Sequence, residues 1–276
     1  MKSSNDTSKI LKIATLVVAS LAVVFVAWYF VAQSEESHDK ERFNAQASLM
    51  LTLARDRVQA YEHALRGSVG LFDASAQVDR DEWRSYVASL KIDENYPGIH
   101  GMGFAQRIHS DGLTAHTSQM HKQGFAGYTV WPAGVREEYF PIVYAEPFER
   151  NKLALGFDPF SESVRRAALE TARDSGKAAI TGRVKLAGVT EGDSQAGFLM
   201  VLPVYDHRRA TPENAARRRE ALQGYVYGSF RINSLMVSIG EFTPFIALQI
   251  FDGRDVSENA QIYNSDLETG NVPAIF

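Results

Sequence analysis

The residues of this chain that could do chemistry do not form a recognised catalytic or metal-binding pattern. The 276 residues contain no cysteine, and the seven histidines are scattered along the sequence. His116 and His121 are five residues apart, which does not put them on one face of a helix. The short motifs of zinc proteases, nucleotide-binding loops, serine hydrolases, kinases and calcium-binding loops do not occur in it. We therefore predict no catalytic residue, no metal ligand and no cofactor, and we expect a binding module.

Asp158 is the polar residue that we favour as a ligand contact. It follows Gly156 and Phe157 and precedes Pro159, where a helix is expected to begin. In a mostly apolar cavity a carboxylate is costly unless it accepts hydrogen bonds, and a ligand with N–H groups could donate them. The alternative is that Asp158 only caps the helix, although Ser161 is a second candidate for that cap.

Apolar residues on the neighbouring predicted strands and loops could form the walls of a pocket around a ligand. Most of them are expected to be ordinary core residues, and only a minority to face the ligand. The candidates are Phe140, Val143, Phe157, Ile180, Leu199 and Val201.

Residues 13–32 form an uncharged apolar run of the length that spans a bilayer as a helix. Trp28, Tyr29 and Phe30 stand at its C-terminal end, where aromatic side chains favour the membrane interface. Lysines precede the run and acidic residues follow it, which predicts a cytoplasmic segment 1–12 and a periplasmic or extracellular part from residue 34 onward. A cleaved signal peptide fits less well, because the run is long and no small-residue cleavage site follows it.

Residues 34–78 are predicted to form a stalk, with a long helix over 34–66. Its apolar residues recur at intervals of three and four and make one stripe. The stripe consists of Phe43, Ala47, Met50, Ala54, Val58, Tyr61 and Leu65. Such a stripe could pair with a second copy of the chain as a homodimer, or pack on its own domain. Both alternatives stay open, and they can apply to different parts of the helix.

The rest of the chain mixes short helices and strands without the regular alternation of a parallel sheet. The α+β pattern predicts two small PAS-like antiparallel sheets with flanking helices. The break between them is placed near residues 206–220, where residues 208–220 are predicted to form a polar, basic loop. We assign residues 79–205 to a membrane-distal, ligand-binding subdomain and residues 206–276 to a membrane-proximal, truncated one. The second sheet would contain strands at 222–232, 245–251 and 260–263, and the first a short strand at 128–131.

The formal net charge of −4 argues against nucleic-acid binding, which requires a basic face.

Several phrases in order resemble the CHASE domain, the extracytoplasmic sensor of plant cytokinin receptors and of many bacterial histidine kinases and diguanylate cyclases. They are YPGI at 96–99, EYFPIVY at 138–144 with Pro147, GFD at 156–158, Arg165 and Arg166 before an alanine-rich helix, ARDSG at 172–176, Thr181, Gly197 with LPVY at 202–205, and LQGY at 222–225. The resemblance covers roughly residues 60–235. It implies a stalk helix that carries two PAS-like folds, the distal one holding the ligand.

The resemblance also bears on two site residues. Thr181 matches a threonine of the family pattern, which implies a hydrogen bond inside the pocket or simply a strand position. Where the plant receptors have a threonine, this chain has Val201, so a pocket hydroxyl is missing and cytokinin itself is not expected as the ligand. The resemblance to the plant receptors, which bind an adenine ring, agrees with an N–H-bearing ligand at Asp158.

These observations predict the extracytoplasmic, small-molecule-sensing part of a transmembrane receptor in the inner or plasma membrane. The signal would pass to a cytoplasmic histidine kinase or diguanylate cyclase. We expect the natural gene to continue past Phe276, through a second membrane helix, to that output domain. The alternatives are a membrane-anchored sensor of a partner protein, and a membrane-anchored enzyme without a recognised motif.

Overall fold

The computed structural model of the chain describes residues 3–187, 196–206, 212–240, 247–257 and 260–265. Backbone contacts divide the chain into two compact units, residues 1–52 and residues 53–276. Helix α1 (Ser3–Ala74) begins in the first unit and ends in the second. The helix predicted for residues 34–66 is confirmed as part of α1, which continues through Gly67 and Gly70.

In the first unit, the side chains of residues 14–30 are all exposed, and most of them are large and apolar. Over the residues that the structure describes, no helix is both long enough and apolar enough to cross a membrane. The predicted anchor at residues 13–32 therefore stays a prediction.

The second unit contains seven further helices among its described residues. They are α2 (Arg80–Leu90), α3 (Ile92–Asn95), α4 (Leu113–Lys122), α5 (Phe148–Asn151), α6 (Ser163–Ser175), α7 (Ala215–Ala221) and α8 (Ile232–Gly240). Short 3₁₀ turns are formed by Ser110–Gly112, Lys152–Ala154 and Pro159–Ser161.

The strands of the second unit form one large sheet and two small ones. The strands are β1 (Ile99–Gln106), β2 (Ile108–His109), β3 (Glu138–Tyr139), β4 (Ile142–Glu146), β5 (Ala179–Ile180), β6 (Val184–Lys185), β7 (Ala196–Tyr205), β8 (Leu222–Arg231), β9 (Gln249–Phe251) and β10 (Gln261–Asn264). The large sheet has the order β4-β1-β8-β7-β5, with β6 also paired to β7, and every pairing is antiparallel. The α+β class with antiparallel sheets is therefore confirmed.

Strand β8 corrects the predicted division of the sheets. We assigned residues 222–232 to the second sheet, but β8 lies in the middle of the large one, between β1 and β7. Phe104 of β1 and Leu202 of β7 both face Val226 of β8 in the registers of these pairs. The polar stretch before β8 connects two adjacent antiparallel strands, and its composition alone does not distinguish such a connection from a domain linker. Whether the chain divides into two PAS-like subdomains stays a prediction.

Local signals explain where α2 begins and where α6 ends. Asp79 and Glu82 form a reciprocal capping box at the start of α2. Gly176 ends α6 in the left-handed conformation, with φ of 71°.

Three local predictions differ from the structure. Residues 128–131 form only an isolated bridge between Trp131 and Phe157 rather than a strand. The stretch 208–220, predicted as a loop, contains most of α7, and residues 207–211 lie outside the described residues. The strand predicted at 245–251 is seen as β9, with residues 241–246 also outside the described part.

The C-terminal part of α1 packs on one face of the large sheet. The Tyr61 ring lies 4.8 Å from that of Phe230 in β8, and the Phe72 ring 4.3 Å from that of Phe104 in β1. Tyr61 and Leu65 are completely buried. This end of the predicted apolar stripe therefore packs on its own domain, whereas Phe43 near the other end is exposed.

Candidate ligand-binding site

A small cavity lies on the sheet face opposite to the one that α1 covers. Residues alternate between the two faces of a strand, so Leu199, Val201, Tyr225 and Tyr227 point away from the face that carries Phe230. All four line the cavity, which measures about 30 Å³, room for about two water molecules. Its apolar lining residues are Ala105, Ile142, Ala154, Phe157, Pro159, Leu169, Leu186, Ala187, Leu199 and Val201. Its polar lining residues are His100, Asn151, Arg165, Tyr225, Tyr227 and Ser229.

Helix α6 and the segment before it cover the cavity. Arg165 and Leu169 are four residues apart, so one side of the helix presents both to the cavity. Phe157 is held from the other side, because the Ile142 N–H donates to its carbonyl at 2.9 Å. Gly156 precedes it with φ of 78°, and a Cβ there would collide with the Thr129 carbonyl. Glycine at this position allows the chain to pass close enough to β4 to present Phe157.

Arg165 is a buried cation in the first turn of α6. Its Nη1 donates to Glu162 Oε2 at 3.1 Å, and its Nη2 donates to the carbonyl of Lys185. Its guanidinium also lies over the Phe157 ring, 5.1 Å from the centroid. Burial lowers the pKa of Arg165, and the charge of Glu162 opposes this change only in part. The arginine stays charged but is incompletely compensated.

Tyr225 brings a hydroxyl to the same cavity. Its side chain is completely buried, and its hydroxyl has no hydrogen-bond partner among the residues that the structure describes. Burial raises the pKa of Tyr225, and the same cause raises the pKa of Tyr227. Both phenols are therefore neutral at physiological pH and can act as hydrogen-bond donors.

Asp158 is completely buried but does not line the cavity. Its Oδ1 accepts hydrogen bonds from the Phe140 N–H at 3.2 Å and the Phe160 N–H at 3.0 Å. Its Oδ2 forms an ion pair with Arg136 Nε at 3.1 Å, although the angle between the two groups is not that of a hydrogen bond. Burial raises the pKa of Asp158, and the Phe160 N–H and Arg136 lower it by less.

Asp158 also begins the 3₁₀ turn Pro159–Ser161, whereas Glu162 caps α6. Ser161, which we named as a rival cap for Asp158, does not cap α6.

The remaining predicted site residues fall in different places. Phe157, Leu199 and Val201 line the cavity. Phe140 is buried in the core beside Phe160 and Tyr225, and Ile180 is half exposed. Their roles toward a ligand stay predictions.

Val143 and Thr181 lie away from the cavity. Val143 lines a separate, open cleft of about 640 Å³ near the end of α1. The Thr181 hydroxyl accepts from the Leu199 N–H at 2.9 Å and donates to the Gly182 carbonyl at 2.8 Å, which fastens the end of β5 to β7.

Sequence reasoning named Arg165 and Tyr225 only as parts of the family phrases, and it did not select the polar residues of the cavity as ligand contacts. Tyr225, Tyr227 and Ser229 alternate in the sequence, which predicts that they share one face of a strand. That face could be assigned to this cavity only if β8 was known to belong to the large sheet. Arg165 stood in a charged pair on a helix, a pattern that is usually exposed.

The sequence model of the CHASE domain matches residues 76–263, which include α6, the cavity and most of the sheet. The chain belongs to the CHASE domain family. This match confirms the resemblance seen in the sequence phrases.

Two plant proteins are similar to this CHASE domain in sequence. Probable histidine kinase 6 of Oryza sativa subsp. japonica is 25% identical over 202 residues, which are 71% of this chain and 20% of that protein. Histidine kinase 3 of Arabidopsis thaliana is 22% identical over 281 aligned residues, 92% of this chain and 26% of that protein. The chain thus spans only a fifth to a quarter of the length of these relatives.

Among solved structures, the chain is similar to the ligand-binding domain of the amino acid chemoreceptor PctC of Pseudomonas aeruginosa PAO1 in complex with GABA. The identity is 11%, the TM-score is 0.47, and the match covers 83% of this chain and 82% of the other.

We predict that Asp158→Asn gains stability relative to the natural chain as the pH rises. The raised pKa means that the folded state holds the Asp158 proton more tightly than the unfolded chain does. The contribution of Asp158 to the free energy of unfolding therefore falls as the pH rises between the ordinary value of 3.8 and the raised folded pKa. Asparagine does not titrate, and it can still accept both backbone hydrogen bonds. Urea denaturation between pH 3.5 and 7 measures the difference.

Asp174→Asn provides a control of opposite sign. The hydrogen bonds from Arg219 and Arg173 lower the pKa of Asp174, so its stabilising effect is present above the ordinary pKa and is lost as the pH falls. Its variant should lose stability relative to the natural chain as the pH rises. The same pH trend in both variants would contradict our account of Asp158.

Proposed function

We propose that this CHASE domain binds a small molecule in the cavity beneath α6. The observation that carries the proposal is the completely buried Tyr225 hydroxyl, which has no partner among the described residues although it lines an apolar cavity. A buried polar group without a hydrogen bond is costly and rare in native proteins, so it requires an explanation. A bound ligand that accepts this hydrogen bond supplies one.

Hydrogen bonds between the turn that precedes β6 and the β9–β10 hairpin region give ligand binding a route to that region. Leu186 lines the cavity and directly follows β6, and β6 directly follows the turn. In that turn the Arg183 N–H donates to Asp252 Oδ2 at 2.9 Å, and its guanidinium donates to the Gln261 carbonyl at 3.2 Å. Asp252 and Gln261 belong to the β9–β10 hairpin region. A shift of β6 on binding would therefore pull directly on this region.

Filling the cavity should abolish binding without removing the fold. Leu199→Phe enlarges a side chain that lines the cavity, at a cost of about 1–3 kcal/mol in the free energy of unfolding. A screen of the purified chain against small metabolites should find compounds that raise its melting temperature, because a ligand of the native state stabilises it. Leu199→Phe should lose this ligand-dependent increase.

Leu202→Phe is the matched control, because Leu202 is equally buried on the same strand but does not line the cavity. It should pay a similar packing cost and keep the ligand-dependent increase in melting temperature. The proposal fails if both variants respond to ligands as the natural chain does.

We also propose that the chain is anchored in the inner or plasma membrane, with residues 34–276 outside the cytoplasm. The support is the helical run over residues 14–30, whose exposed apolar side chains would be costly in water. The output would be a cytoplasmic histidine kinase or diguanylate cyclase. The names of the two plant relatives, both histidine kinases, support the first of these.

A topology reporter fused after residue 40 should be active outside the cytoplasm and inactive inside it. The lysines before the apolar run favour the cytoplasmic side, and the acidic residues after it do not oppose export. An alkaline phosphatase fusion reports export, and a green fluorescent protein fusion reports the cytoplasm. Fluorescence without phosphatase activity would reverse the proposed orientation.

Two copies of the chain would pair through the first part of α1. Phe43 and Leu51 are exposed there, and a second helix could bury them. Since the chain has no cysteine, Phe43→Cys should form a disulfide-linked dimer on mild oxidation, seen on a non-reducing gel. Leu65→Cys should not, because Leu65 is buried in its own domain. Failure of every single cysteine from 43 to 51 to cross-link would exclude this pairing.

A further inference from the structure

The charge of the cavity lining points to a class of ligand, on the assumption that the proposed small-molecule function holds. Among the described residues that line the cavity, Arg165 is the one permanent charge, and neither aspartate nor glutamate is present. A ligand that enters this cavity therefore meets a cation and neutral donors. Such a lining favours a negatively charged group over a positively charged one.

Asp158 does not offset this preference. Both of its oxygens are already engaged within the chain, one by the Phe140 and Phe160 N–H groups and the other by Arg136. The N–H donors that we expected from a ligand are thus supplied by the protein itself. The carboxylate also lies outside the lining of the cavity.

The positive charge of Arg165 is only partly neutralised by the groups around it. Its one carboxylate partner, Glu162, is more than one third exposed, so water screens the attraction between them. Glu162 also accepts from the Val164 and Arg165 N–H groups as the cap of α6, which divides its charge among several donors. The first turn of α6 adds the positive end of a helix dipole at the same place.

The donor groups, apolar walls and volume of the cavity indicate which kind of anion it would bind. Arg165 Nη1 and Nη2 each use one N–H within the chain, and the second N–H of each nitrogen remains to donate to the two oxygens of a carboxylate. The Tyr225 hydroxyl adds a neutral donor within the same lining. Leu169, Leu186 and Leu199 offer an apolar wall to the remainder of the ligand. The volume of about 30 Å³ limits that remainder to one or two carbon atoms.

We propose that the ligand of this cavity is a short aliphatic monocarboxylate, with its carboxylate bound by Arg165 and Tyr225 and its hydrocarbon chain against the leucines of α6, β7 and the segment after β6.

The test compares matched probes on the purified full chain by isothermal titration calorimetry, at constant ionic strength set with sodium chloride. Acetate, propionate and butyrate are the carboxylate probes. Propionamide has the shape of propionate without its charge, inorganic phosphate is a tetrahedral anion, and adenine is an N–H donor. At least one carboxylate should bind, and propionamide should bind at least about tenfold more weakly than propionate, since a charge-assisted bond to buried arginine is lost.

Three variants assign the binding to the proposed groups. Arg165→Lys keeps the charge but loses the planar fork, and should weaken carboxylate binding by at least about tenfold. Tyr225→Phe removes a buried hydroxyl that has no partner among the described residues, so it should leave the melting temperature unchanged or higher and still weaken carboxylate binding. Arg166→Lys is the control: Arg166 is the exposed neighbour on α6 and does not line the cavity. It should leave binding unchanged.

The outcomes separate this inference from the proposed function. If adenine, phosphate or propionamide binds better than every carboxylate, and Leu199→Phe abolishes that binding, the cavity is a ligand site but the carboxylate assignment is wrong. Carboxylate binding that survives both Arg165→Lys and Tyr225→Phe also overturns the assignment. If no probe and no screened metabolite binds, the proposed function fails together with the inference.

Discussion

The pairing of β8 with both β1 and β7 is the constraint on which the rest of this structure depends. β8 is central and buried on both faces, so its alternating residues define two separate environments. Val226 and Phe230 face the side on which the end of α1 packs, whereas Tyr225, Tyr227 and Ser229 face the cavity. A shift of the register by one residue would exchange the two sets. The stalk contact and the candidate site are therefore determined by the same hydrogen-bond ladder.

Asp158 and Arg165, the two buried ionic residues near the site, differ in how fully their charges are compensated. Asp158 has two backbone donors and Arg136 around it, and these contacts tie the loop before β3 to the turn before α6. Asp158 thereby holds in place the turn that carries Phe157 and Pro159, while its contact with a ligand stays a prediction. Arg165 has a partly exposed partner and a carbonyl, and it faces the cavity. Burial without full compensation is costly in folding, and charged groups perturbed in this way cluster at functional sites.

Membership of the CHASE domain family identifies the type of domain, but it does not identify the ligand. Asp158, which we favoured as a ligand contact, is engaged within the chain, and Val201 lines the cavity. Fold and ligand preference are separate properties, since a few side chains on a common sheet decide the chemistry of the site.

The sequence by itself determined the long helix, the α+β class and the family. These depend on local periodicity or on an ordered set of phrases, both of which are readable along the chain. Phe157, Leu199 and Val201, which the sequence suggested as pocket walls, do line the cavity, and their contact with a ligand stays a prediction. Only the tertiary structure decided that β8 joins the large sheet, that Arg136 pairs with Asp158, and that Arg165 and Tyr225 face the same cavity. The physical reason is that strand partners and buried ion pairs join residues far apart in sequence, and local composition does not specify which distant group will be the neighbour.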